Sequence, residues 1–109
     1  MKTLPTHALI RGIDWEIKRV DGEHPALKKD QFLKERQYYG CCDKYGDYGP
    51  DCTLYTLKGI SLQVAWETLW HEVFHAICWG FKPFDLKKEM PIEILAGETL
   101  SLCRQWKLL

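Results

Sequence analysis

His71-Glu72-Val73-Phe74-His75 is the stretch of this 109-residue chain whose residue types and spacing can do chemistry. On a helix, side chains four apart stand one above the other on the same face. His71 and His75 can therefore offer two imidazole nitrogens to one metal ion. Glu72, one position round, is placed to act on a water held by that metal rather than to ligate it. The chemistry this predicts is metal-assisted hydrolysis, with Zn2+ as the metal and Glu72 as general base.

Five letters can arise by chance in a helix-rich chain, so the element that must carry them matters. From Ser61 to Trp79 the sequence contains no Pro or Gly. Ser61 can serve as N-cap, and Gly80 stands where a left-handed C-cap belongs. At ~100° per residue, Leu62, Ala65, Trp66, Leu69, Val73, Ala76 and Ile77 form one apolar stripe. His71 and His75 project roughly opposite its centre. The spacing predicts a helix over 61–79 that packs by one face and offers a metal site with the other. The plainer reading is a pair of solvated helix histidines.

A catalytic zinc ordinarily takes three protein ligands and leaves the fourth position to water. No third His completes the longer H-E-x-x-H-x-x-G-x-x-H pattern, because position 78 is Cys and position 81 is Phe. A carboxylate must then close the set, and Asp85, Glu89, Glu93 and Glu98 are the candidates. Asp85 and Glu89 fall in a polar connector, where solvated charge is the ordinary state. Glu93 and Glu98 are roughly 140° apart on a second helix, so one metal would not take both. Glu93 is the preferred ligand and Glu98 the alternative. Glu93 would also favour the dipole of a helix whose first turn it occupies.

That second helix is expected over about 91–107, with Pro91 in its first turn. Ile92, Leu95, Ala96, Thr99, Leu102, Cys103 and Trp106 follow helical spacing. Earlier in the chain, Ile13, Trp15 and Ile17 alternate with Asp14, Glu16 and Lys18, the period of a half-buried strand, which Asp21-Gly22 ends. A short helix is expected from about Pro25 to Leu33. Gln37 to Cys42 and Cys52 to Leu57 read as a hairpin around the turn-rich DKYGDYGPD. Tyr45, Tyr48 and Tyr55 lie in or beside it, either packing on the sheet or giving one of their number as a second electrophile for an oxyanion.

The fold class expected is α+β: a small antiparallel sheet packed against the two helices, in one domain spanning 1–109. The chain is long enough for one core and no separate specificity domain. Fifteen basic and fifteen acidic residues cancel to a formal charge of zero, without the basic stripe of a nucleic-acid binder. The first residues hold no apolar run of signal-peptide or membrane-span length, so no membrane partner and a cytoplasmic location are expected. Cys41, Cys42, Cys52, Cys78 and Cys103 are expected to stay reduced there and lack the C-x-x-C spacing of a zinc site. Cys78, about one turn beyond His75, could line the metal cleft or pack as a small half-buried thiol.

Thr68-Leu69-Trp70-His71-Glu72-Val73-Phe74-His75-Ala76 resembles the "T-L-x-H-E-x-x-H-A" helix of the minimal gluzincins. These are short H-E-x-x-H metallopeptidase-like proteins, many phage-encoded, related to the ImmA/IrrE group. Pro91-Ile92-Glu93-Ile94-Leu95 is similar to the helix that supplies their Glu ligand, with Ile92 where the first acidic residue is often found. The resemblance implies a zincin-like domain holding zinc by His71, His75 and Glu93, with Glu72 as base and a protein or peptide as substrate. A zinc-binding regulator without catalysis, and a DNA-associated SprT-like peptidase, are the alternatives; neutral charge and the missing third His speak against the latter.

Overall fold

The computed structural model describes residues 2–28, 37–79 and 89–108, and for 89–92 the backbone alone. Strands β1 (His7–Ile10), β2 (Ile13–Val20), β3 (Gly40–Asp43) and β4 (Thr53–Leu57) form one sheet in the order β1-β2-β4-β3. Helices α1 (Leu62–Ile77) and α2 (Glu89–Gln105) complete an α+β domain, together with a 3₁₀ turn over Pro25–Leu27.

The sheet is mixed, which corrects the expectation of an antiparallel one. β1 with β2 and β3 with β4 are antiparallel, but β2 and β4 run parallel, with Ile17 opposite Leu54. The reason lies in which strand of the second hairpin docks. β4 buries both its faces, sending Leu54 into the main core and Tyr55 into a smaller cluster on the other side. A strand buried on both faces belongs in the middle of a sheet, so β4 sits inward and β3 becomes an edge.

The strand expected from Ile13 is β2, and a further strand, β1, pairs with it from His7–Ile10. Arg11 and Gly12 both adopt positive φ, 50° and 78°, the backbone of a tight two-residue hairpin turn. Ala8, Ile10, Trp15 and Ile17 point inward from the two arms, while Ile13 stays exposed. The Asp21-Gly22 turn forms as expected, and residues 29–33 of the expected short helix lie outside the described residues.

Both helices cover one face of the sheet. Leu69, Val73, Ala76 and Ile77 of α1 meet Leu102 of α2 and Trp106 just after it over Trp15, Ile17 and Leu54. The Trp106 ring stands edge-on to Trp66 and Trp70, at centroid distances of 5.9 and 5.3 Å. Ala26 and Leu27 of the 3₁₀ turn cover the opposite face with Cys41 and Tyr55. No helix among the described residues is long and apolar enough to cross a membrane.

Candidate metal centre

Helix α1 begins where the sequence places it. The Ser61 hydroxyl accepts a hydrogen bond from the Val64 N–H at 3.3 Å, satisfying one of the helix's orphan donors. Its C-terminus differs from expectation: Cys78 is the C-cap, its N–H bonding Phe74 O at 3.0 Å, and Gly80 lies outside the described residues. The last carbonyls are met from the sheet. Arg11, at the tip of the first hairpin, donates from Nη1 to Ile77 O at 3.2 Å and Trp79 O at 2.9 Å. A guanidinium at a helix C-terminus also complements the dipole. Arg11 thus ties the far end of the site-bearing helix to the sheet.

His71 and His75 are both exposed, on the face opposite the packed stripe. Their Nε2 atoms lie 3.1 Å apart, the rings tilted at 74°. Without an ion, that contact is one ring's N–H donating to the other's bare nitrogen. The geometry also suits a shared metal: two nitrogens 3.1 Å apart, each about 2.0–2.1 Å from zinc, subtend about 95–100° at the ion, near the tetrahedral angle. The donor set, two imidazoles with a carboxylate beside them, is one that zinc favours. The residues present fit a zinc ion.

Glu72 is the third member of the cluster, its carboxylate lying with the two imidazole nitrogens in a group spanning 4.8 Å. It differs from the histidines in burial, being only 7% exposed. The sheet explains this. Gly40, which opens β3, approaches so closely that a methyl on its Cα would lie 2.8 Å from Glu72 Oε2 and 2.7 Å from Thr68 Cγ2. The carboxylate is therefore lodged between the helix and the edge strand.

A cleft of about 380 Å³ opens beside it, lined by Tyr38, Tyr39, Gly40, Glu67, His71 and Glu72 among others. Its volume falls within the range of small-ligand sites, about 300–1,000 Å³. The tyrosines at this cleft are not the ones the sequence singles out. Tyr55 is buried beneath the sheet, Tyr48 packs beside it, and Tyr45 stands edge-on to Trp79 at 5.4 Å. Burial raises the Tyr55 phenol above its ordinary range, helped by the Asp43 and Cys41 charges and opposed by a hydrogen bond with Thr53. Tyr38 and Tyr39 fall in the strand expected over Gln37 to Cys42, but β3 begins only at Gly40, and the two tyrosines reach the site from just before it.

Of the candidate third ligands, Asp85 lies outside the described residues, and of Glu89 only the backbone is described. Helix α2 already includes Glu89, so Glu93 lies beyond its first turn rather than in it, and its side chain is exposed. Glu93 is not a member of the His71–Glu72–His75 group. Glu98 is half-buried and accepts the Arg11 N–H at 3.0 Å. Cys78 is a half-buried thiol, its pKa pushed up by burial against the opposing pull of Arg11, and it too stands outside the metal group. All five cysteines are free.

No protein-family model matches this chain, and no curated protein or solved structure matches it either.

Proposed function

We propose that the protein is a zinc-dependent metallopeptidase of gluzincin type, hydrolysing peptide bonds in a protein or peptide substrate. The observation that carries the reading is the convergence of His71 Nε2, His75 Nε2 and the Glu72 carboxylate at one place on α1, the imidazoles exposed and the carboxylate buried. In this reading His71, His75 and Glu93 hold the ion. Zinc supplies a Lewis acid for the scissile carbonyl and lowers the pKa of water to ~7.

Glu72 takes the proton from the attacking water and passes it to the leaving amine. Its lodging against Gly40 suits that work, because a base held in one place need not be ordered at each turnover. An extended peptide has a place to lie. Leu57 N–H bonds Tyr39 O at 2.8 Å, so in an antiparallel ladder the next residue, Gly40, turns its N–H and C=O away from β4. A substrate strand added along that edge would pass Glu72. The free cysteines suit a reducing cytoplasm.

The test is hydrolysis of an unstructured protein such as casein by zinc-loaded protein and by Glu72→Gln. The reading expects cleavage that disappears in Glu72→Gln while zinc is retained. Zinc retained with no cleavage in the wild type would instead indicate a zinc-binding regulator.

A further inference from the structure

Gly40 is a glycine for which the backbone gives no reason. Among the described residues the positive-φ glycines are Gly12, Gly46 and Gly59, and Gly40 is not one of them. It is an ordinary strand residue in register with Thr56, a position where any L side chain could satisfy the backbone. What it lacks is room. A methyl on its Cα would meet Thr68 Cγ2 at 2.7 Å, Glu72 Oε2 at 2.8 Å and Glu72 Cγ at 2.9 Å. Contacts that short force something to move.

The two neighbours differ in how they can give way. Thr68 is β-branched and limited to two χ1 rotamers on a helix, and its backbone belongs to α1, whose packed stripe is fixed in the core. Glu72 Oε2, by contrast, ends a flexible side chain that lines the adjoining cleft, so the carboxylate is the group that can give way. A side chain at position 40 would therefore displace the carboxylate, while His71 and His75 on the exposed face would be left in place.

We infer that Gly40 is a positioning residue for the general base: its bare Cα holds open the space in which the Glu72 carboxylate stands. The inference rests on the metallopeptidase reading above, and it assigns the edge strand a steric role in catalysis. A substitution at position 40 should then separate metal binding from turnover.

The experiment compares Gly40→Ala, Thr68→Ala and the double variant Gly40→Ala/Thr68→Ala. Removing the Thr68 methyl relieves one clash and leaves the other, with Glu72, in place. Gly40→Ala is expected to bind zinc as the wild type does, with kcat lowered about 10–100-fold and KM changed little, the effect of misplacing a catalytic group by about an ångström. The double variant is expected to regain the unfolding midpoint of Thr68→Ala but not its kcat. Recovery of kcat together with stability would overturn the proposal and leave Gly40 a packing residue. The side-chain carboxyl ¹³C resonance of Glu72, assigned with Glu72→Gln and read at one fixed pH, gives a second arm that needs no turnover. It is expected to move between Thr68→Ala and the double variant, and an unmoved resonance would overturn the proposal. If the wild-type protein hydrolyses nothing, the metallopeptidase reading fails, and this resonance alone decides whether Gly40 holds Glu72 in place.

Discussion

The carboxylate of Glu98 accepts the backbone N–H of Arg11 at 3.0 Å. Helix α2 is thereby fastened to the turn between β1 and β2, the same turn whose Arg11 side chain closes the C-terminus of α1. Glu98 is thus engaged in holding the two helices and the first hairpin together, and Glu93 remains the carboxylate proposed for the metal. Glu93→Gln should weaken zinc binding severely, whereas Glu98→Gln should leave it nearly intact, both read by competition with a zinc chelator. Glu98→Ala should lower stability by about 1 kcal/mol, the ordinary worth of a hydrogen bond to a charged acceptor at a partly exposed site. The reverse pattern of zinc loss would give the ligand role to Glu98.

Arg11→Ala removes two donors from the last carbonyls of α1. The groups are largely exposed and water can replace them, so the expected loss is about 1 kcal/mol, measured from urea unfolding midpoints. Fraying should be local: amide exchange should speed up around Ile77 and Trp79 before it does around Leu69. Unchanged exchange at the end of α1 would mean that the guanidinium does not secure it.

Tyr55 ties stability to alkaline pH. Burial first, then the Asp43 and Cys41 charges, raise its pKa above the ordinary value of 10.0. Raising favours the neutral phenol in the folded state, so the contribution is fully present below about pH 10 and is lost as pH rises through the folded value. Tyr55→Phe should therefore flatten the fall in stability above about pH 10, read from thermal midpoints between neutral and strongly alkaline buffer. An equally steep fall in the variant would place the alkaline-sensitive group elsewhere.

What could be read from the sequence was local. The cap at Ser61, the stripe through Leu69, Val73 and Ile77, and the exposed His71–His75 pair all follow from a 3.6-residue period and near-neighbour chemistry. The inward alternation of Trp15 and Ile17 was legible for the same reason. What could not be read depends on distant partners. The direction of β4 relative to β2 is decided by which arm of a hairpin docks, and no periodicity encodes that. Arg11-Gly12 lacks the Asn-Gly signal that marks such a turn, so β1 and its hairpin were not legible. Glu72 owes its burial to Gly40 in β3, a contact made only when the edge strand folds against α1. The same contact put Tyr38 and Tyr39 at the cleft, and sheet packing took Tyr48 and Tyr55 away from it. Glu98 found a partner in Arg11, far off in sequence, which helical angle alone did not supply.

The central claim is a zinc ion held by His71 and His75, and the direct measurement is elemental analysis of protein purified without a histidine tag. The account predicts one zinc per chain in the wild type and in Glu72→Gln, and its loss in both His71→Ala and His75→Ala. No zinc in the wild type, or zinc retained at the wild-type level in both histidine variants, would contradict it and turn attention to the free cysteines.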